Sequence, residues 1–175
     1  MKGAKLGPGE VGELHVRGLN VMLGYYRAPE LTAAAIDKDG WFNTGDLARV
    51  NEAGELYIVG RTKELIIRSG FNVYPAEVEA VLNSHGLVVQ SAVVGRPVEG
   101  NEEVVAFVQL LPDARITAAE LQVYAARQLT SYKRPSEIVI LQALPAASTG
   151  KILKNKLKED AIARAASATK TAAAG

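Results

Sequence analysis

Cysteine is absent from the sequence, which excludes disulfides and thiolate metal sites and fits a reducing compartment. A dominant charge is missing too. Twenty Lys and Arg against 19 Asp and Glu leave a net charge of +1, so the overall field favours neither nucleic acid nor a membrane surface. No apolar run approaches the ~20 residues of a membrane span. Met1-Lys2-Gly3-Ala4-Lys5 leads into Gly7-Pro8-Gly9 without the apolar stretch of a signal peptide. These absences predict a cytoplasmic protein with no membrane span and no nucleic-acid partner. Histidine is scarce, and His15 and His85 stand apart from any Cys, His or Asp cluster. Both read as non-catalytic. No internal repeat is visible.

What is present is enough for a folded core. The 175 residues are 48% apolar and 22% charged, an ordinary soluble composition for one medium domain or two small ones. Up to residue 62 the pattern is β-rich. Glu13-Leu14-His15-Val16-Arg17 alternates polar and apolar, and Glu55 to Val59 is a more apolar strand. Pro29 suits the first turn of a short helix reaching Ile36. The seam is expected at Thr62-Lys63-Glu64.

Beyond it, Leu65-Ile66-Ile67 stops at Ser69-Gly70, and Pro75 opens a helix with Val78, Val81 and Leu82 on one face. Strands are expected at Ser91 to Val94, Val104 to Leu111 and Ile138 to Leu141. Thr117-Ala118-Ala119-Glu120 is a capping box opening a helix with a stripe of Leu121, Tyr124, Ala125 and Leu129. A last helix from Ile152 buries Leu153, Leu157 and Ala161, and residues 161–175 read as an unstructured Ala-rich tail.

Three segments place reactive groups beside glycines. Thr44-Gly45-Asp46 is read as a turn whose carboxylate can accept hydrogen bonds from two vicinal hydroxyls, as on a ribose. Arg61 ends a strand at the seam, where its planar fork can reach ribose or phosphate oxygens. Ser148-Thr149-Gly150-Lys151 is not a P-loop, because that motif needs glycine where Pro145 stands and Ser or Thr where Ile152 stands. It is expected to be a flexible loop that swings a lysine toward concentrated negative charge. Lys154, Lys156 and Lys158 read as a solvated basic face. Gly70 opens a loop into the Pro75 helix.

In this order and spacing, the segments resemble the adenylate-forming superfamily of acyl- and aryl-CoA synthetases, luciferases and peptide-synthetase adenylation domains. The matching stretches include Gly12 to Gly18, Gly24-Tyr25-Tyr26, Gly40 to Asp46, Gly60 to Ile66, Gly70 to Glu79, Tyr132-Lys133-Arg134-Pro135 and Ser148 to Lys151. The resemblance implies an α+β chain: residues 1–62 as the β-rich end of a large AMP-binding domain, and residues 63–160 as a small mobile C-terminal domain hinged at Lys63. It implies a two-step ligase using ATP with Mg2+, a carboxylic acid and CoA. By family position Asp46 binds the ribose hydroxyls, Arg61 assists, and Lys151 contacts acyl and phosphate oxygens during adenylation. Ser69 and Gly70 would line the CoA tunnel once the small domain has turned.

Within the superfamily, the lysine at the hinge and the run Gly70 to Glu79 resemble CoA ligases acting on fatty, aryl or malonyl-type acids. The Pro145 to Lys151 pattern also resembles a site where protein acetyltransferases silence such ligases at the lysine. Departures from the family pattern are Ala146-Ala147, where a basic residue is frequent, and lysine rather than arginine near position 154. No Ser/Thr/Gly-rich phosphate loop and no acid pocket are found, so a missing N-terminal part is the expected partner. Two further readings stand beside the ligase: a non-catalytic binding or regulatory module that keeps the fold, and an adenylation domain loading a carrier protein.

Overall fold

A computed structural model describes residues 3–172, with side chains through 167. The chain divides after Lys63 into two compact units.

The first unit holds one antiparallel sheet in the order β1 (Val11–Val16), β2 (Phe42–Val50) and β3 (Leu56–Arg61), with the short helix α1 (Pro29–Ala35) inserted between β1 and β2. Pro29 sits in the first turn of α1, where its missing N–H costs nothing. Among the described residues of this unit only Leu47 and Ala48 are buried. Leu56, Tyr57 and Ile58 of β3 remain exposed.

The strand β2 corrects the sequence reading. Asn43-Thr44-Gly45-Asp46 has turn composition, yet it lies inside a nine-residue strand. The irregularity is absorbed as a bulge. Between the pairs Glu13↔Leu47 and His15↔Asn43, the single residue Leu14 faces Thr44, Gly45 and Asp46.

In the second unit, β4 (Ile66–Arg68) and β5 (Phe71–Val73) form a hairpin, followed by α2 (Pro75–Asn83). A sheet of β6 (Val88–Val98), β7 (Asn101–Leu110) and β8 (Glu137–Leu141) carries the core, with α3 (Ala118–Ala126) between β7 and β8. The β6–β7 pair is antiparallel and β7–β8 is parallel, as a helical crossover requires. Alternate residues feed two cores. Val93, Ala106, Val108 and Ile138 pack with Val78 and Leu82 of α2 and Leu121 and Ala125 of α3. Ala92, Val94, Phe107 and Val139 pack with Leu157 and Ala161 of α4 (Lys154–Ala172). Covered on both faces, the centre of β7 is continuously buried, which explains its unbroken apolar run Val104 to Val108.

The capping box forms as read: the Glu120 amide donates to Thr117 Oγ1 at 3.2 Å, and the Thr117 amide donates to Glu120 Oε2 at 2.8 Å. The strand β5, read as loop, is a difference, as is the C-terminal stretch. Residues 161–172 continue α4 rather than forming an unstructured tail, in line with alanine's high helix propensity. Residues 173–175 lie outside the described residues. No helix among the described residues is long and apolar enough to cross a membrane.

Candidate functional site

Asp46 and Arg61 are brought together. They are direct partners across β2 and β3, and Arg61 Nε lies 3.0 Å from Asp46 Oδ1. Asp46 was expected on a turn and lies within a strand, whereas Arg61 ends its strand as read. The bulge supplies the aim. Gly45 has φ +72, a conformation that costs a side chain-bearing residue roughly 1–2 kcal/mol. Thr44 Oγ1 donates to the Leu14 carbonyl at 2.9 Å and accepts from the Asp46 amide at 3.1 Å. Asn43 Oδ1 accepts from the Gly45 amide at 2.8 Å. Asp46 is thus held at backbone and carboxylate, and it keeps one oxygen beyond its ion pair. With 24% of the Asp46 side chain and 56% of the Arg61 side chain exposed, the pair can still meet a ligand. An acceptor beside a fork of donors suits a polyhydroxylated or phosphorylated molecule.

Lys63 occupies the centre of a single 3-10 turn, Thr62–Glu64. It is exposed, and its side chain makes no hydrogen bond or ion pair among the described residues.

Ser69 and Gly70 are the two central residues of the β4–β5 hairpin, with φ +52 and +80. Two positive φ angles mark a type I′ turn, whose twist matches that of its strands. The turn is pinned: the Ser69 amide donates to Asn101 Oδ1 at 2.7 Å, and the Ile67 amide donates to Glu102 Oε2 at 2.8 Å. Arg68 donates to the carbonyls of Arg134 at 2.6 Å and Tyr132 at 3.4 Å. Phe71 stacks on Tyr132 with ring centroids 4.6 Å apart. Sequence reasoning missed these supports because they join residues more than 30 positions apart.

Lys151 lies on a second hairpin, which replaces the flexible loop expected there. The Gly150 amide donates to the Ala147 carbonyl at 2.9 Å, and the Ala147 amide donates to the Lys151 carbonyl at 2.8 Å. Ala146 and Ile152 form a bridge, and Gly150 has φ +81. This is a three-residue hairpin closed by a residue of positive φ. Its backbone is fixed while the Lys151 side chain is exposed and unpaired among the described residues. No described contact joins it to Ser69 or Gly70.

Lys154 overturns the solvated basic face. Its ammonium lies 2.6 Å from Glu64 Oε2 and 2.9 Å from Glu79 Oε1, with 24% of the side chain exposed. Burial opposes its charge, but the two carboxylates outweigh this and raise its pKa above the usual lysine value. The signal was legible: Lys154 shares a helical face with Leu157 and Ala161, both buried.

His85 Nδ1 accepts from the Leu87 amide at 3.2 Å and its ring meets Tyr124 edge-on, while His15 lies 3.9 Å from Glu13. Among the described residues no group of three or more His, Cys, Asp or Glu is arranged to hold a metal ion.

Residues 77–151 match the family described as AMP-binding enzyme C-terminal domain. A long-chain-fatty-acid–CoA ligase of Yersinia pestis is 44% identical over 154 residues, which is 88% of this chain and 27% of that protein. ATP-bound MatB from Rhodopseudomonas palustris matches with a TM-score of 0.83 at 39% identity, covering 90% of this chain and 31% of that one. O-succinylbenzoate coenzyme A synthetase from Bacillus subtilis, in complex with ATP and magnesium ion, matches at 0.82 and 37%, covering 90% and 32%. The chain therefore spans less than a third of these relatives. Residues 77–151 thus belong to the AMP-binding enzyme C-terminal domain family, and the chain as a whole is homologous to the C-terminal region of acyl-CoA ligases.

Proposed function

We propose that this chain is the C-terminal portion of an acyl-CoA ligase. In the first half-reaction a carboxylate oxygen attacks the α-phosphorus of ATP, and pyrophosphate leaves as the acyl-adenylate forms. In the second, the CoA thiol attacks the acyl carbon, loses its proton and expels AMP. Mg2+ would arrive on the nucleotide phosphates. The acid-binding pocket and the phosphate loop would come from the upstream part of the enzyme, and a cytoplasmic location fits the cysteine-free composition.

The observation that carries this reading is the Asp46–Arg61 pair at 3.0 Å on a bulged strand. It presents a fixed carboxylate for the two ribose hydroxyls, with a guanidinium alongside. Lys151 supplies positive charge where negative charge builds between acyl oxygen and α-phosphate, from a hairpin that carries it as a fixed mount. Lys63 is the hinge between the half-reactions, and the pinned Ser69-Gly70 turn lines the path of the CoA arm. The exposed β3 residues Leu56, Tyr57 and Ile58 support a further protein surface against this unit. Acetylation of Lys151 would remove the charge that adenylation uses, so an acetyltransferase acting there would silence the first step.

The test is a split of the two half-reactions in the enzyme joined to its upstream portion. Lys151→Ala is expected to cut adenylation at least 100-fold, the loss typical of one preorganised charge, while sparing thioester formation from supplied acyl-adenylate. Equal loss in both steps contradicts the role given to Lys151.

A further inference from the structure

The residues on either side of Lys63 are each tied down within their own unit. On the upstream side, Thr62 Oγ1 donates to Glu13 Oε1 at 3.1 Å. Glu13 is itself fixed: it lies in β1 opposite Leu47, and its other oxygen accepts from Asn43 Nδ2 at 3.3 Å. On the downstream side, Glu64 is held by Lys154 at 2.6 Å. That ammonium is held in turn by Glu79, whose Oε1 also accepts from the Val93 amide at 2.8 Å. The chain of bonds runs from Glu64 through α4 and α2 to the edge strand of the main sheet. Between these two anchorages the Lys63 side chain has neither hydrogen bond nor ion pair among the described residues.

We propose that Glu13 and Lys154 are positioning residues, clamping Thr62 and Glu64 so that the pivot is confined to the backbone of Lys63. A pivot of one residue leaves a turning unit only two soft torsions, the φ and ψ of that residue. A loose linker of four or five residues would give it many, and a catalytic group displaced by about 1 Å can lose two orders of magnitude in rate. The two clamps differ in kind. The Glu13–Thr62 bond is a single exposed hydrogen bond, weakened by water. The Lys154 clamp is a charge-assisted pair shielded by two carboxylates and resists solvent better. The upstream edge of the pivot therefore yields first. The inference rests on the hinge role given to Lys63 above.

Backbone 15N order parameters of the 175-residue chain test it. The expected result is a drop below about 0.6 confined to Lys63, with Thr62 and Glu64 near the rigid value of about 0.85. Glu64→Ala, which leaves Lys154 on Glu79, should extend the drop to residues 64 and 65 without moving β6 or β7. Thr62→Val should extend it to residues 61 and 62, and Lys154→Arg should restore what Lys154→Met loses. In the enzyme joined to its upstream portion, Glu64→Ala should change the ratio of thioester formation to adenylation at least fivefold, whereas a merely structural loss lowers both alike. The proposal is overturned if the wild-type drop spans residues 61–65, or if Glu64→Ala leaves residues 64 and 65 as they were. Equal loosening of β6 and β7 by that variant also overturns it. The hinge role itself fails by a different result, survival of thioester formation in Lys63→Pro.

Discussion

Asp46 faces Arg61 because Gly45, at φ +72, lets β2 carry three residues opposite one of β1. Open space surrounds the position where a Cβ would sit, so a substitution there is opposed by backbone conformation alone. Gly45→Val should cost roughly 1–2 kcal/mol in urea denaturation, and it should weaken nucleotide binding further by turning the carboxylate away from Arg61. Lys151→Ala should behave oppositely. Its side chain has no partner to lose among the described residues, so stability should stay within about 0.5 kcal/mol while adenylation collapses. A fall in stability comparable to that of Gly45→Val would give Lys151 a structural role instead. At this scale the sequence was informative about residue types and poor about their setting. Asp46 and Arg61 stand out in the sequence as charged groups beside glycines, but Asn43-Thr44-Gly45-Asp46 has the composition of a turn, and only pairing with β1 and β3 makes it a strand.

Among the elements, helix starts were the easiest to read. Thr117 and Glu120 cap α3 through contacts three residues apart, a distance the sequence displays directly. Thr117→Ala should cost about 1 kcal/mol, seen as a lower urea midpoint with unchanged slope. The helix α4 was only half legible. Its buried Leu157 and Ala161 followed from periodicity, and so did the face that Lys154 shares with them, whereas the partners Glu64 and Glu79 lie 90 and 75 positions away and no local pattern names them. The pH dependence of this clamp has a definite sign. The folded-state pKa of Lys154 is raised above its ordinary 10.5. Its contribution is therefore fully present below that value and is lost as pH climbs through the higher folded value. The stability gap between wild type and Lys154→Met should be about 2 kcal/mol near neutrality, below the range for fully buried pairs because Glu64 is about a third exposed. It should hold level until pH 10 and then shrink. A gap that widens with alkali would contradict the pairing.

For the whole molecule, the two compact units part after Lys63, close to where the β-rich pattern of the sequence ends at Arg61. The α+β class was equally plain from the order of apolar strands and amphipathic helices. The three-layer arrangement, with α2 and α3 on one face of β6–β7–β8 and α4 on the other, was not. Continuous burial of β7 announces two covered faces, but nothing local says which helix covers which. The acid that the enzyme would activate would be selected by the pocket of its upstream portion. Its relatives span long-chain-fatty-acid–CoA and O-succinylbenzoate synthetases, so a panel of acids is the appropriate probe.

The most direct measurement is carboxylate-dependent ATP–pyrophosphate exchange across fatty, aryl and dicarboxylic acids. It would use this chain alone and then mixed with the separately expressed upstream portion. Exchange only in the mixture, with one acid class preferred and Lys151→Ala abolishing it, is the predicted result. No exchange with any acid, from folded pieces that bind each other, would contradict the ligase reading and leave a fold kept for binding alone.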